Sequence, residues 1–163
     1  MENEKKYNFS ITNLAFRMAI KAGISYIIIF LLMKLIGLVH IYQLRYINTL
    51  VLFLFTVHTL KTIDLRTGNN LEYLTGLAVC IFIAAVSFSL FASFMFFYLK
   101  FFDPAFMRYL IEHAPFGSYL SPLNTAAWLI TEGLGIQISF TLIIMEYFKW
   151  MQFKLKSKKD LTR

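Results

Sequence analysis

The chain has 163 residues and a net charge of +7; 58% of it is hydrophobic, 18% aromatic and only 15% charged, with a mean hydropathy of +0.62. Ordinary globular domains are nearer half apolar and about a quarter charged, so the composition argues against a water-soluble domain and points to lipid as the solvent for most of the chain. One cysteine excludes an internal disulfide, and three scattered histidines make no metal-ligand spacing.

Crossing a hydrocarbon core roughly 30 Å thick takes about 20 mostly apolar residues, and outside a closed barrel only a helix satisfies its own backbone there. The N-terminal MENEKKYNFSITNLAFRMAIKAG carries two glutamates. The apolar run after it is longer than the core of a signal peptide and lacks a small-residue cleavage site, so Met18 to Val39 reads as an uncleaved first span. A second span is expected from Leu44 to Leu60, with Tyr42, Tyr46 and Lys61 at its borders. Arg66, Thr67, Gly68, Asn69 and Asn70 form a polar turn before the third span, Leu71 to Phe101. That span contains SFSLFASFMFFYLKFF, apolar on every side, which soluble helices seldom are.

Asp103-Pro104 is an N-cap followed by a proline at the first helical position, and Ser121-Pro122 repeats the pattern. Between them Phe106, Tyr109, Leu110 and His113 stand at helical spacing, which predicts a short helix lying in the membrane interface. The fourth span is expected from Leu123 to Met151, followed by a basic C-terminal tail over 152–163. The expected fold is therefore all-α: one polytopic membrane domain of four transmembrane helices, with a short interfacial helix between helices 3 and 4.

Basic residues are retained on the cytoplasmic side. With both termini inside, that side holds Lys5, Lys6, Arg17, Lys21, Lys61, Arg66, Lys149, Lys154, Lys156, Lys158, Lys159 and Arg163, against Lys34, Arg45, Lys100 and Arg108 outside. A bacterial inner membrane and cytoplasmic termini are the expectation. The lysines of FKLKSKKD fit anionic lipid, which attracts each by about 1 kcal/mol, better than nucleic acid, for which no aromatic-interleaved basic surface is present.

In lipid, helices associate by close contact of small residues and by interhelical hydrogen bonds. The third span offers two small-residue stripes, Gly76, Cys80 and Ala84, and Ala85, Ser89 and Ser93; the fourth adds Gly133 and Gly135. The polar residues within the spans are more pointed. Glu132 lies ten positions beyond Pro122, roughly 15 Å along the helix, where a charge costs at least about 2.5 kcal/mol unless paired. Trp128, Gly135 and Ser139 share its face, while Gln137 stands about 140° round. Lys34 is a possible partner for Glu132. The structural reading is that Lys34 snorkels to the interface and Glu132 is protonated and hydrogen-bonded; the functional one is a proton- or ion-responsive site at Glu132, Gln137 and Lys34.

His58 reads as an interfacial histidine, and His40 with His113 is too sparse for a metal. No HExxH, GxSxG, GxGxxG or P-loop occurs, so neither an enzyme nor a cofactor is expected.

Three segments carry a family resemblance: TVHTLKTIDLRTGNNLEYLTG after the first hairpin, FMFFYLKFFDPAFMRYLIEH at the end of the third span, and the lysine-rich end of the fourth. Together they resemble the bacterial four-span membrane family catalogued as domain of unknown function 4199, with its charged turn at Lys61 to Gly76 and its aromatic-Asp-Pro-x-Phe element at Phe102 to Phe106. Pro104 to Pro122 is briefer than the charged helix family members often carry there. The resemblance implies a small inner-membrane protein and transfers no catalytic or binding residue. The expected role is a non-enzymatic subunit or accessory protein working by helix association with itself or a membrane-protein partner; the alternative is a small transporter or channel subunit using Glu132.

Overall fold

A computed structural model describes residues 2–38, 46–68, 71–114 and 117–160, with side chains between residues 11 and 154. Val39, His40, Tyr42, Leu44, Arg45, Asn69, Asn70 and Arg163, and the side chains of Lys5, Lys6, Lys156, Lys158 and Lys159, lie outside this description.

The described residues are all-α. The elements are α1 (Glu2–Leu35), α2 (Tyr46–Arg66), α3 (Tyr73–Phe97), a π-helical turn (Tyr98–Phe102), α4 (Pro104–His113), a 3-10 turn (Gly117–Tyr119) and α5 (Pro122–Asp160). Four helical segments are long and apolar enough to cross a membrane: Ile11–Leu35, Tyr46–Arg66, Tyr73–Phe102 and Pro122–Lys154.

The helix bounds differ from the expected spans for identifiable reasons. α1 begins at Glu2 instead of Met18, because no proline or glycine interrupts the preceding polar residues. It stops at Leu35, short of Val39, where Gly37 takes φ +77°. The Leu38 N–H then donates to the Met33 carbonyl and the Gly37 N–H to the Lys34 carbonyl, the six-to-one and five-to-two bonds of a Schellman cap. α2 does not stop at Leu60. It runs to Arg66 and ends against Gly68 at φ +67°, since a lysine at the surface is a good helix former and Lys61 is exposed. The segment after Met151 continues α5 as helix to Asp160.

Three long-range contacts establish that the long helices alternate in direction. Lys34, near the end of α1, meets Asp103 beyond the end of α3. Asp64, near the end of α2, meets Gln152, late in α5, and both meet the backbone of Leu71 just before the start of α3. The start of α1 and the end of α5 therefore share one end of the bundle, which also bears Arg17, Lys21, Lys61, Arg66, Lys149 and Lys154. The opposite end bears Lys34, Lys100 and Arg108.

α3 is the central helix and packs chiefly on α5 and α1. Its stripe of Gly76, Cys80 and Ala84 is buried, and a Cβ at Gly76 would collide with the Met145 thioether of α5. The second stripe is different. Ala85 is only half-buried, and Ser89 and Ser93 are exposed, so these three do not form a seam within the chain. α1 instead buries Ala15, Ala19 and Ala22 and meets α3 at Gly23, which lies against Leu90 and the Ser87 carbonyl. Beyond them the core is aromatic: Tyr26 stacks on Phe88 at 5.3 Å, and Phe30 meets Tyr98 edge-on at 5.2 Å and Phe106 at 6.2 Å.

Candidate functional site

The sequence-predicted polar residues fall into separate places. Lys34 does not join Glu132. Its ammonium sits 2.6 Å from Asp103 Oδ2 and 4.8 Å from the centre of the Phe106 ring, a cation over an aromatic face. The π-helical turn explains why. One extra residue per turn shifts the phase of the chain leaving α3, and the Asp103 N–H donates to the Tyr98 carbonyl five residues back. Asp103 then starts α4 as its N-cap, with Oδ1 accepting from the Phe106 N–H at 2.9 Å and Pro104 in the first turn. The hydrogen bond from Lys34 is the largest influence on the Asp103 carboxyl and, with the Phe106 N–H, holds it below the usual carboxylate range despite partial desolvation. This cluster fastens α4 to the bundle through buried Phe106 and Met107.

Gln137 is 1% exposed. Its Nε2 donates to Thr56 Oγ1 of α2 at 3.3 Å and to Thr141 Oγ1 at 3.2 Å, while Thr141 Oγ1 donates to the Gln137 carbonyl at 2.8 Å. The Oε1 has no hydrogen-bond partner. The arrangement is interhelical glue between α2 and α5.

Glu132 is half-buried, on another side of α5 from Gln137, in keeping with the phase difference seen in the sequence. It lines a recess of about 40 Å³ with Tyr46, Asn48 and Thr49 of α2 and the rings of Phe88 and Phe91. Gly133 makes the recess possible by letting α5 approach Phe88, whose ring occupies the space a Cβ would take. Asn48 carries a buried Oδ1 without a hydrogen-bond partner. At about 10–15 Å³ of such space for each water, the recess has room for a few waters among a carboxylate, an amide and two hydroxyls. That inventory can bind water or relay a proton.

Sequence reading missed a third polar group. Asp64 is 3% exposed, and its Oδ1 accepts from Gln152 Nε2 at 2.8 Å and from the Leu71 N–H at 3.1 Å. The signal was present: Asp64 stands four residues after Leu60 on the stripe that buries Leu52, Thr56 and Leu60. The partner was hidden, because Gln152 lies 88 positions away. The two described histidines are peripheral. His58 is exposed, and His113 stacks on Tyr109 at 4.2 Å. Among the described residues no three His, Cys, Asp or Glu gather as metal ligands.

The chain matches no family model, no curated protein and no solved structure.

Proposed function

We propose that this chain is a multi-pass protein of a bacterial inner membrane and acts as a non-enzymatic subunit or accessory protein by helix association. The observation that carries the reading is the outward placement of its small residues. Ser89 and Ser93 of α3 and Gly135 of α5 are exposed, and nothing lies within 4 Å of the Cβ position at Gly135. In lipid such positions let a second helix approach its backbone, whereas apolar bulk alone does not distinguish a partner from acyl chains. Large apolar side chains exposed on the four long helices, among them Ile28, Leu54, Phe97 and Ile143, fit contact with lipid.

Membership of the four-span family named above belongs to the same proposal, as do cytoplasmic termini, supported by the basic residues at the bundle end where α1 begins and α5 ends. On this placement α4 lies at the opposite interface, with Arg108 and Glu112 exposed and Phe106 and Met107 turned inward. Crosslinking in intact membranes, followed by mild extraction, tests the reading. The expected product is a stable assembly with itself or with another membrane protein; a free monomer at every crosslinker length overturns it.

A second reading is favoured by the recess beside Glu132: a small transporter or channel subunit in which that carboxylate handles a proton or ion. Reconstituted vesicles should then show a flux that Glu132→Gln abolishes. Equal flux in the two proteins removes this reading.

A further inference from the structure

We infer that the partner is a second copy of this chain, joined along one face of α5; the inference rests on the association reading and names its surface. At about 100° per residue, Trp128, Thr131, Gly135, Ser139, Leu142, Glu146, Lys149 and Phe153 all fall within about 40° of Gly135, and every one is exposed. The opposite side of the helix is occupied within the chain by Gln137, Thr141, Ile144 and Phe148. The face is thus continuous, straight and unpartnered, with an open small-residue centre at Thr131, Gly135 and Ser139.

Its charges indicate which occupant fits. Glu146 and Lys149 sit on this face, and among the described residues neither takes part in an ion pair. Copies inserted in the same orientation can form a two-fold pair only about the membrane normal, which lays the two α5 helices parallel and brings equal depths together. Glu146 of one copy then lies about 4.5 Å in axial height from Lys149 of the other, within reach of a flexible lysine, and the axis generates the contact twice. The hydroxyls of Thr131 and Ser139 already donate to the carbonyls of Ala127 and Gly135, so close approach strands no donor. A face with one acid and one base at matching height is complementary to itself. An unrelated helix would need the same pair in the same register.

The test uses the full chain in native membranes with Cys80→Ala, which removes the natural thiol. Gly135→Cys should oxidise to a species of twice the chain mass, and Ile28→Cys, exposed on α1, should not. In the Gly135→Cys background, Glu146→Lys should lower the dimer yield about fivefold. Co-expressing that chain with a Lys149→Glu chain should restore it, because each then meets its opposite; the mixed pair also shows that the single variants fold. No dimer at Gly135, or a yield indifferent to these charges, overturns the inference. If Ser93→Cys crosslinks instead, or Gly135→Cys captures a protein of another mass, association stands and the second copy on α5 does not. If neither position forms any adduct, both readings fall.

Discussion

Lys34 and Asp103 illustrate how a charge near an apolar bundle is stabilised by being placed, and the placement is pH-dependent in a defined direction. The Asp103 carboxyl is held below its ordinary range, first by the hydrogen bond from Lys34. A group with a depressed folded-state pKa contributes stability above its unfolded value, and that contribution is lost as pH falls through the folded value. The pair is partly exposed, 33% at Lys34 and 19% at Asp103, so about 1 kcal/mol is the scale. Asp103→Asn preserves an N-cap residue while removing the charge. Thermal unfolding in detergent should show it less stable than the parent at neutral pH, with the gap closing as pH falls below the ordinary carboxylate range and the parent's carboxylate protonates; a gap constant with pH would show that the ion pair contributes nothing. Glu132 and Gln137 were legible in the sequence as costly groups, and their phase difference around α5 follows from helix geometry. That Lys34 turns to Asp103 was not legible, because it depends on a π-helical turn that no composition signal announces.

Two glycines separated by one residue on α5 have opposite duties, and the difference belongs to the helix as an element. Gly133 faces inward, where a Cβ would collide with the Phe88 ring; Gly135 faces outward into open space. Adding a methyl to a filled seam forces neighbours off their rotamers at about 1–3 kcal/mol, while at an exposed helical position alanine is favoured over glycine by up to about 1 kcal/mol. Gly133→Ala should therefore lower the unfolding temperature of the detergent-dispersed monomer by several degrees, and Gly135→Ala should leave it unchanged or raise it. Equal effects would mean that α3 and α5 do not meet as described. Of the two stripes that sequence spacing marked, Gly76, Cys80 and Ala84 are buried within the chain, whereas Ala85 is half-buried and Ser89 and Ser93 are exposed; period alone does not say which stripe of a helix apolar all round meets a neighbour.

For the whole molecule, the basic residues and the alternation of the helices concern the same quantity. α1, with 34 residues, and α5, with 39, extend about 50 and 60 Å at 1.5 Å per residue, longer than a hydrocarbon core of about 30 Å, and both project at the basic end. On the proposed topology, a reporter that matures only in the cytoplasm should be active when fused to either terminus, and a cysteine placed at Tyr119, 76% exposed in the loop before α5, should react with a membrane-impermeant reagent applied to intact spheroplasts. An inactive C-terminal fusion, or protection of the Tyr119 position, would invert or break the four-span arrangement.

By itself the sequence determined the all-α class, the number of long apolar helices and the starts of α4 and α5, because these depend on local quantities: apolar length, caps at Asp103 and Ser121, and the polar turn around Gly68. It also marked Glu132 and Gln137 as groups requiring partners. Only the tertiary structure decided the pairings of Lys34 with Asp103, Gln137 with Thr56 and Asp64 with Gln152, and which small-residue stripe faces inward. Those choices depend on the rotation of each helix against its neighbours, and in a chain apolar on nearly every side no polar face is left to reveal that angle.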